Sequence, residues 1–470
     1  MENKMLKTIK QVSIGAGLPA RTLSDLRDKF NGRLITQSDA DYDRARKVFY
    51  GGIDRHPAAI IKVVNAAEVS RVISLAREAG LELAVRSGGH SNAGHSVTEG
   101  GIVLDLSLMK GLDINVEGRT AWAEAGLTAG EYTIAAGAHG LATGFGDTGS
   151  VGIGGITLGG GVGYLVRKHG LTIDHLLAAE VVTADGRILH VDETNHPDLF
   201  WAIRGGGGNF GVATRFQFQL NKVDKVLGGM LFLPATADTI ASFIGEADSA
   251  PNELSTILNI MPAPPMPFLP KEVHGRMLMM AMMVFAGDLG TGERVIAHFR
   301  SIDKPYADMI RPISYPEMYP PETEGYHPIA AGRTMFVDRV DRSVAEAILD
   351  RLASSTASMA VTQLRMLGGA MSHVPIEATA FAHRSSRIMA NLAALYEKPE
   401  EKETHETWVE EFAATLRQSD HGAYVNFLGD VDEAQIRAAY PGATWDRLRR
   451  IKAQYDPDNL FRLNQNIPPA

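Results

Sequence analysis

Arg86-Ser87-Gly88-Gly89-His90 directly follows an apolar run, Leu81-Glu-Leu-Ala-Val85, that reads as a buried strand. The two glycines carry no Cβ, so the backbone can turn with φ > 0 and approach a ligand closely. Successive N–H groups in such a turn form a concavity suited to a pyrophosphate. The histidine adds a nucleophilic ring nitrogen that a phosphate cradle alone does not need.

The 470 residues around this turn are enough for two to three domains of ordinary size. Hydrophobic residues at 45% and charged residues at 21% match soluble globular proteins. A net charge of −9 argues against a general nucleic-acid binder, which needs a basic face. The absence of cysteine rules out disulfides, thiolate metal sites and cysteine nucleophiles together. Met1 to Ala20 lacks a secretory apolar stretch with a small-residue cleavage site. The longest apolar run, residues 277–286, falls well short of the ~20 residues that span a bilayer. The expectation is a soluble, cytoplasmic protein with neither membrane nor nucleic acid as partner. Its oligomeric state is not legible.

Composition divides the chain. Glycine is dense from about Gly88 to Gly211 and thins out afterwards. In the first region Ala59–Val64 reads as a strand, and Asn65 caps the next helix with Glu68 completing a capping box. Glu180–Thr183 and Arg187–Val191 flank Asp185-Gly186, a favoured hairpin turn. A middle region, Val226 to Asp420, carries strand candidates at Met277–Phe285 and Gln363–Leu367 and helices at Thr291–Ser301 and Ser343–Ser354. The clustered methionines of the first read as a buried central strand rather than an adaptable binding surface. Residues 261–270 hold too many prolines for regular structure and form a loop, a rigid connector or a lid. In the last fifty residues Tyr424–Leu428 reads as a strand and Ala443–Tyr455 as an amphipathic helix.

Gly206, Gly208 and Gly211 match G-x-G-x-x-G, but a helix precedes them and a strand follows, the reverse of a Rossmann fingerprint. Gly152 to Gly163 is more telling, with seven glycines in twelve positions. It can lay backbone against a flat ligand and present N–H donors. No Walker lysine follows it, which excludes a P-loop. His95 has no carboxylate cluster to make a metal site with His90. Turn and glycine segment together read as a flavin site with His90 as the covalent anchor.

These motifs occur in the order Arg86–His90, Gly152–Gly163, Arg167-Lys-His-Gly-Leu171, Asp174, Pro197–Gly206, Asn209–Val212, Ala380-Phe-Ala-His-Arg384 and Tyr455–Asn466. That order resembles the berberine-bridge-enzyme-like branch of the vanillyl-alcohol-oxidase flavoproteins across nearly the whole chain. The resemblance implies an α+β, two-domain PCMH-type FAD-binding fold. Residues 1–225 would form the FAD-binding domain, joined by 420–470 from the other end. Residues 226–419 would form a substrate domain, an antiparallel sheet covered by helices. The flavin would lie at the interface, where ligand clefts are common, bonded at its 8α carbon to His90. The cofactor-binding set is then His90, Arg86, Ser87, Gly88, Gly89, Ser91, Gly94, His95 and Ser96. Thr148, Ser150, Val151, Gly154, Gly155, Gly159, Gly160, Gly161, Val182, Asn426, Asn464 and Asn466 complete it.

Three departures from the family pattern matter. The second, cysteinyl tether of many relatives falls on Thr148 here, so FAD is held through His90 only. The tyrosine of the family's Arg-Lys-Tyr-Gly segment is His169. The lysine and glutamine that support the base in plant relatives fall, by ungapped counting, on Ala390 and Leu392, with Asn391 the polar candidate. Tyr424 matches the tyrosine of the family's Tyr-x-Asn segment and is the expected base. It needs help, since a free tyrosine has a pKa near ~10, and His169, near ~6.5, is either that help or the base itself. Val151 occupies the position that gates oxygen in relatives and resembles the oxidases. The expected reaction is hydride transfer from an alcohol or amine carbon of a small organic substrate to flavin N5, with O2 as second partner and H2O2 as product. The alternatives are a dehydrogenase with another acceptor, or a flavin-binding protein without turnover.

Overall fold

The structure, a computed structural model, describes residues 30–320, 325–418, 422–429 and 431–470. The segment Met1 to Ala20 and the limit expected at 419/420 lie outside these residues. No helix among the described residues is long and apolar enough to cross a membrane.

The first sheet runs β1 (Arg33–Ile35), β2 (Ala59–Lys62), β4 (Ile102–Asp105), β3 (Leu83–Arg86), with β4 parallel to both neighbours. Parallel neighbours require a crossover, supplied by helix Ala66–Ala79, which buries Val69, Val72, Ile73 and Ala76 against the sheet. Each buried valine or isoleucine among them stabilises by about 1.5–3 kcal/mol. Asn65 Oδ1 accepts from the Glu68 N–H at 3.0 Å, as the cap predicts. The reciprocal half of the capping box does not form. The Glu68 carboxylate instead accepts from the N–H groups of Val64 (3.0 Å) and Asn31 (2.6 Å), because a long-range donor reaches it first.

The second sheet is antiparallel, ordered β5 (Leu112–Asn115), β6 (Thr120–Glu124), β10 (Val212–Gln219), β8 (Leu176–Val182), β9 (Ile188–Val191). The β8–β9 hairpin closes through Asp185-Gly186, with Gly186 at φ 85°. A short ribbon pairs β7 (Leu141–Ala142) with β11 (Asn221–Lys222).

The third sheet is ordered β15 (Ala307–Asp308), β12 (Lys225–Pro234), β14 (Met277–Phe285), β13 (Leu254–Pro262), β18 (Met359–Met366), β19 (Ile388–Tyr396), β17 (Ile329–Val337), with β16 (Arg311–Ser314) also on β12. Helices Ala237–Ser249, Leu289–Arg300, Arg342–Ala353 and Lys402–Leu416 cover one face, over a core drawn from residues 227–416. Met279 and Met283 are buried there, so the methionine strand is a central one. The opposite face packs Phe336, Met389 and Leu367 against Val162, Phe381 and Tyr424. A separate core joins residues 30–220 to residues 423–467, so the two chain ends share one lobe.

Two local expectations change. Tyr424–Leu428 is not a strand: Val425–Phe427 is a 3-10 turn with Tyr424 at its start, because Tyr424 and Phe427 pack into one core and Val425 and Leu428 into another rather than alternating over a sheet. In the proline-rich stretch, Met261 and Pro262 still belong to β13, and the loop buries Ala263 and Leu269 against Phe232 and Leu278. None of its residues lines the large cavity described next.

Candidate functional site

A cavity of about 320 Å³ lies where the two glycine segments, the 424–428 turn and the C-terminal tail meet. Its floor is backbone. A Cβ on Gly88 would sit 2.2 Å from the Gly152 nitrogen, and one on Gly152 would sit 2.2 Å from the Gly88 nitrogen. The two turns therefore touch only because both residues are glycine. Ser87 fastens the contact, its hydroxyl donating to Ala125 O at 2.6 Å and accepting from the Gly154 N–H at 3.4 Å. Gly159 and Gly161 answer to packing, since Cβ atoms there would meet Asn426 Oδ1 at 2.0 Å and Thr172 Oγ1 at 1.9 Å.

His90 is half-buried in the cavity wall, its Nε2 2.7 Å from Ser150 Oγ and its ring stacked on Phe49 at 4.3 Å and 22°. Ser91, His95, Ser96, Thr148, Val151, Gly155, Asn426 and Asn464 also line the cavity. Arg86 does not. Its guanidinium turns back to the Asp105 carboxylate at 2.7 Å and ties the end of β3 to β4. Burial alone would raise the Asp105 carboxyl, but Arg86 and the hydrogen bonds from Ser107 outweigh it and hold the group below the usual range. Gly94, Ser150, Gly159, Gly160, Gly161, Val182 and Asn466 likewise stand behind the lining. Val182, fully buried, pairs with Val212 and Ile188.

Tyr424 brings the strongest polar geometry. Its hydroxyl oxygen accepts from the N–H groups of Gly161 (3.0 Å) and Val162 (3.3 Å) and from Asn426 Nδ2 (2.9 Å). Gly160 and Gly161, at φ 128° and 80°, turn the backbone so that both amides point inward. Complete burial raises the phenol above its ordinary value, partly offset by Asn426, the two amides and the Arg365 charge. His169 is not at this oxygen. It ends helix Val166–His169, its ring faces His175 at 6.3 Å, and it does not line the cavity. Burial, with Lys168 and His175 nearby, lowers its pKa to about 4, so the ring is neutral.

Strand phase corrects the expected support for the base. Ala390 and Leu392 are fully buried on the helix-covered face of β19. The residues turned toward Tyr424 are Met389, which packs in its cluster, and Asn391, which pairs in register with Gln363 and Thr334. A count without strand phase lands on the wrong face, because successive side chains alternate.

Sequence reasoning also missed lining residues. Gly207 and Gly208 belong to the glycine loop set aside as a reversed Rossmann match, Asn209 and Gln465 stood inside quoted motifs without a site role, and Phe49, Asn92 and Asp147 gave no local signal. Asn209 and Lys452 explain the tail motif. Lys452, fully buried, donates to Asn209 O (2.8 Å) and Asp456 Oδ2 (2.6 Å), while Asn209 accepts from the Ile467 N–H (3.0 Å). The Arg384 guanidinium of the 380–384 motif clamps Asp174 with two 2.8 Å bonds, joining the sheet lobe to the other. Among the described residues no group of three metal-ligating side chains exists.

Comparison with known proteins agrees with this architecture. A family model described as FAD binding domain matches residues 57–192, and one described as Berberine and berberine like matches 423–468. The FAD-linked oxidoreductase YgaK of Bacillus subtilis is 30% identical over 94% of this chain and 98% of its own. (R)-6-hydroxynicotine oxidase of Paenarthrobacter nicotinovorans is 30% identical over 93% of this chain and 97% of its own. The crystal structure of 6-hydroxy-D-nicotine oxidase from Arthrobacter nicotinovorans superposes with a TM-score of 0.84 at 27% identity, covering 94% and 98% of the two chains. With a glycine-floored cavity in the lobe shared by the two chain ends and full-length relatives of this kind, the chain belongs to the berberine-bridge-enzyme-like FAD-linked oxidoreductases.

Proposed function

We propose that this oxidoreductase is an oxidase that takes hydride from an alcohol or amine carbon of a small, fairly hydrophobic organic molecule and passes the electrons to O2. The observation that carries the reading is the Tyr424 hydroxyl, held by three donors at the wall of a glycine-floored cavity. The residues there fit FAD. The paired glycine turns leave backbone N–H groups at the floor, and the buried Ser96 hydroxyl in the lining has no partner among the described residues. His90 would hold the flavin through one covalent bond, with Ser150 fixing its Nε2. A second, cysteinyl bond is impossible in a chain without cysteine. Residues 1–225 and 420–470 would form the FAD-binding domain and 226–419 the substrate domain.

When bound, FAD supplies a two-electron acceptor at N5 whose reduced form O2 reoxidises with release of H2O2. Tyr424 takes the proton from the substrate O–H or N–H. Gly161, Val162 and Asn426 then stabilise the oxygen that becomes negative, as fixed donors stabilise charge in a water-poor site. His169 stays outside this step. Val151, in the cavity lining, would be the residue that admits oxygen.

A panel of small alcohols and amines, with (R)-6-hydroxynicotine as the first probe, tests the reading through peroxide release. Anaerobically reduced enzyme mixed with air-saturated buffer should reoxidise within seconds. Reduced flavin that persists for minutes would overturn the oxidase assignment and point to another electron acceptor.

A further inference from the structure

Arg365 on β18 has a side chain only 4% exposed, yet it is anchored on four sides. Its Nη2 donates to Asp147 Oδ2 and to Gln363 Oε1, both at 2.7 Å, and Nε donates to Gln363 Oε1 at 2.9 Å. Gln363 is held in turn by Asn259 at 2.9 Å. The guanidinium lies 5.0 Å from the Phe427 ring, in the same turn as Tyr424. Nη1 reaches Val162 O at 3.5 Å, on the residue whose N–H donates to the Tyr424 hydroxyl.

The other neighbours of Tyr424 do not supply positive charge. Met389 and Asn391 of β19 are neutral, as are Phe336 and Phe381. His383, beside Phe381 and Phe336, has its Nε2 directed to Ala439 O at 3.2 Å. Arg384, behind Phe381, is bonded to Asp174 as Arg365 is to Asp147, but of the two, among the described residues, only Arg365 also bonds the Gly161–Val162 cradle. His169 is neutral, and the titratable groups lining the cavity near Tyr424 include Asp147 with the imidazoles of His90 and His95.

Resting on the reading of Tyr424 as the base, we infer that Arg365 is its positioning residue: it fixes the Gly161–Val162 cradle, supplies the positive charge that favours the phenolate, and neutralises Asp147. The sheet thus delivers a cation from β18 where the matching positions on β19 are apolar or neutral. An arginine suits this place because its planar fork bonds Asp147 and Gln363 together while its face lies over a ring.

The test uses holoenzyme labelled with 3-fluorotyrosine and followed by 19F NMR against pH, the Tyr424 signal being the one lost in Tyr424→Phe. Arg365→Gln should move the Tyr424 midpoint upward by about 1 pH unit or more, the size of a lost opposite charge. Arg365→Lys keeps the charge and should move it less than half as far, whereas a merely structural Arg365 makes the two variants alike. Asp147→Asn should move it downward. An unchanged midpoint in Arg365→Gln, or a Tyr424 signal that stays protonated in every variant, overturns the inference. The base reading fails separately if Tyr424→Phe reduces its flavin at the wild-type rate with an accepted substrate.

Discussion

The glycine floor and the third sheet come together at Tyr424 but are built on opposite principles. On the floor, Gly88 and Gly152 hold two backbones so close that neither position accepts a Cβ. On the sheet, Asn259, Gln363, Asn391 and Thr334 share one register row and their backbones are fixed by pairing. Side chains in that row can change while the strands stay. Under the proposed function, the first surface would serve an invariant part, the cofactor, and the second a variable part, the substrate.

The seam between the lobes is where this contrast breaks with most force. Arg384→Met leaves Asp174 buried without its partner and should cost about 3–5 kcal/mol, read as a loss in thermal or urea stability of the holoenzyme. Within the lobes the two surfaces should respond differently. Gly88→Ala forces backbones apart, costing about 1–3 kcal/mol and releasing flavin on dialysis. Met280→Leu, a near volume-conserving change on the sheet, should cost less than about 1.5 kcal/mol and leave the flavin spectrum unchanged. Equal flavin loss in both variants would erase the distinction.

The smallest effect concerns His169. Its pKa is about 4 in the fold against 6.5 for the free side chain, so the unfolded chain takes up a proton first as the pH falls. Stability present above pH 6.5 is lost between there and about pH 4. His169→Gln should flatten that part of the Tm profile and leave flavin reduction unchanged. A changed reduction rate would return His169 to the chemistry.

Legibility followed locality. The Arg86–His90 turn, the 152–163 segment and the Ala443–Tyr455 helix were readable because a few adjacent residues decide them. Strand phase on β19 was not, since one residue of offset exchanges Asn391 for Ala390 and a count cannot fix it. Nor was the 424–428 turn, whose aromatic and β-branched residues look like a strand until packing into two separate cores divides them. Asp147 and Arg365 pair across 218 residues and Asn209 and Ile467 across 258, and no local pattern announces such pairings.

The most direct test of the cofactor site is acid precipitation of the purified yellow protein beside its His90→Ala variant. The account predicts colour in the wild-type pellet and in the variant's supernatant. Wild-type colour released to the supernatant, or no flavin even after FAD is added, would contradict it.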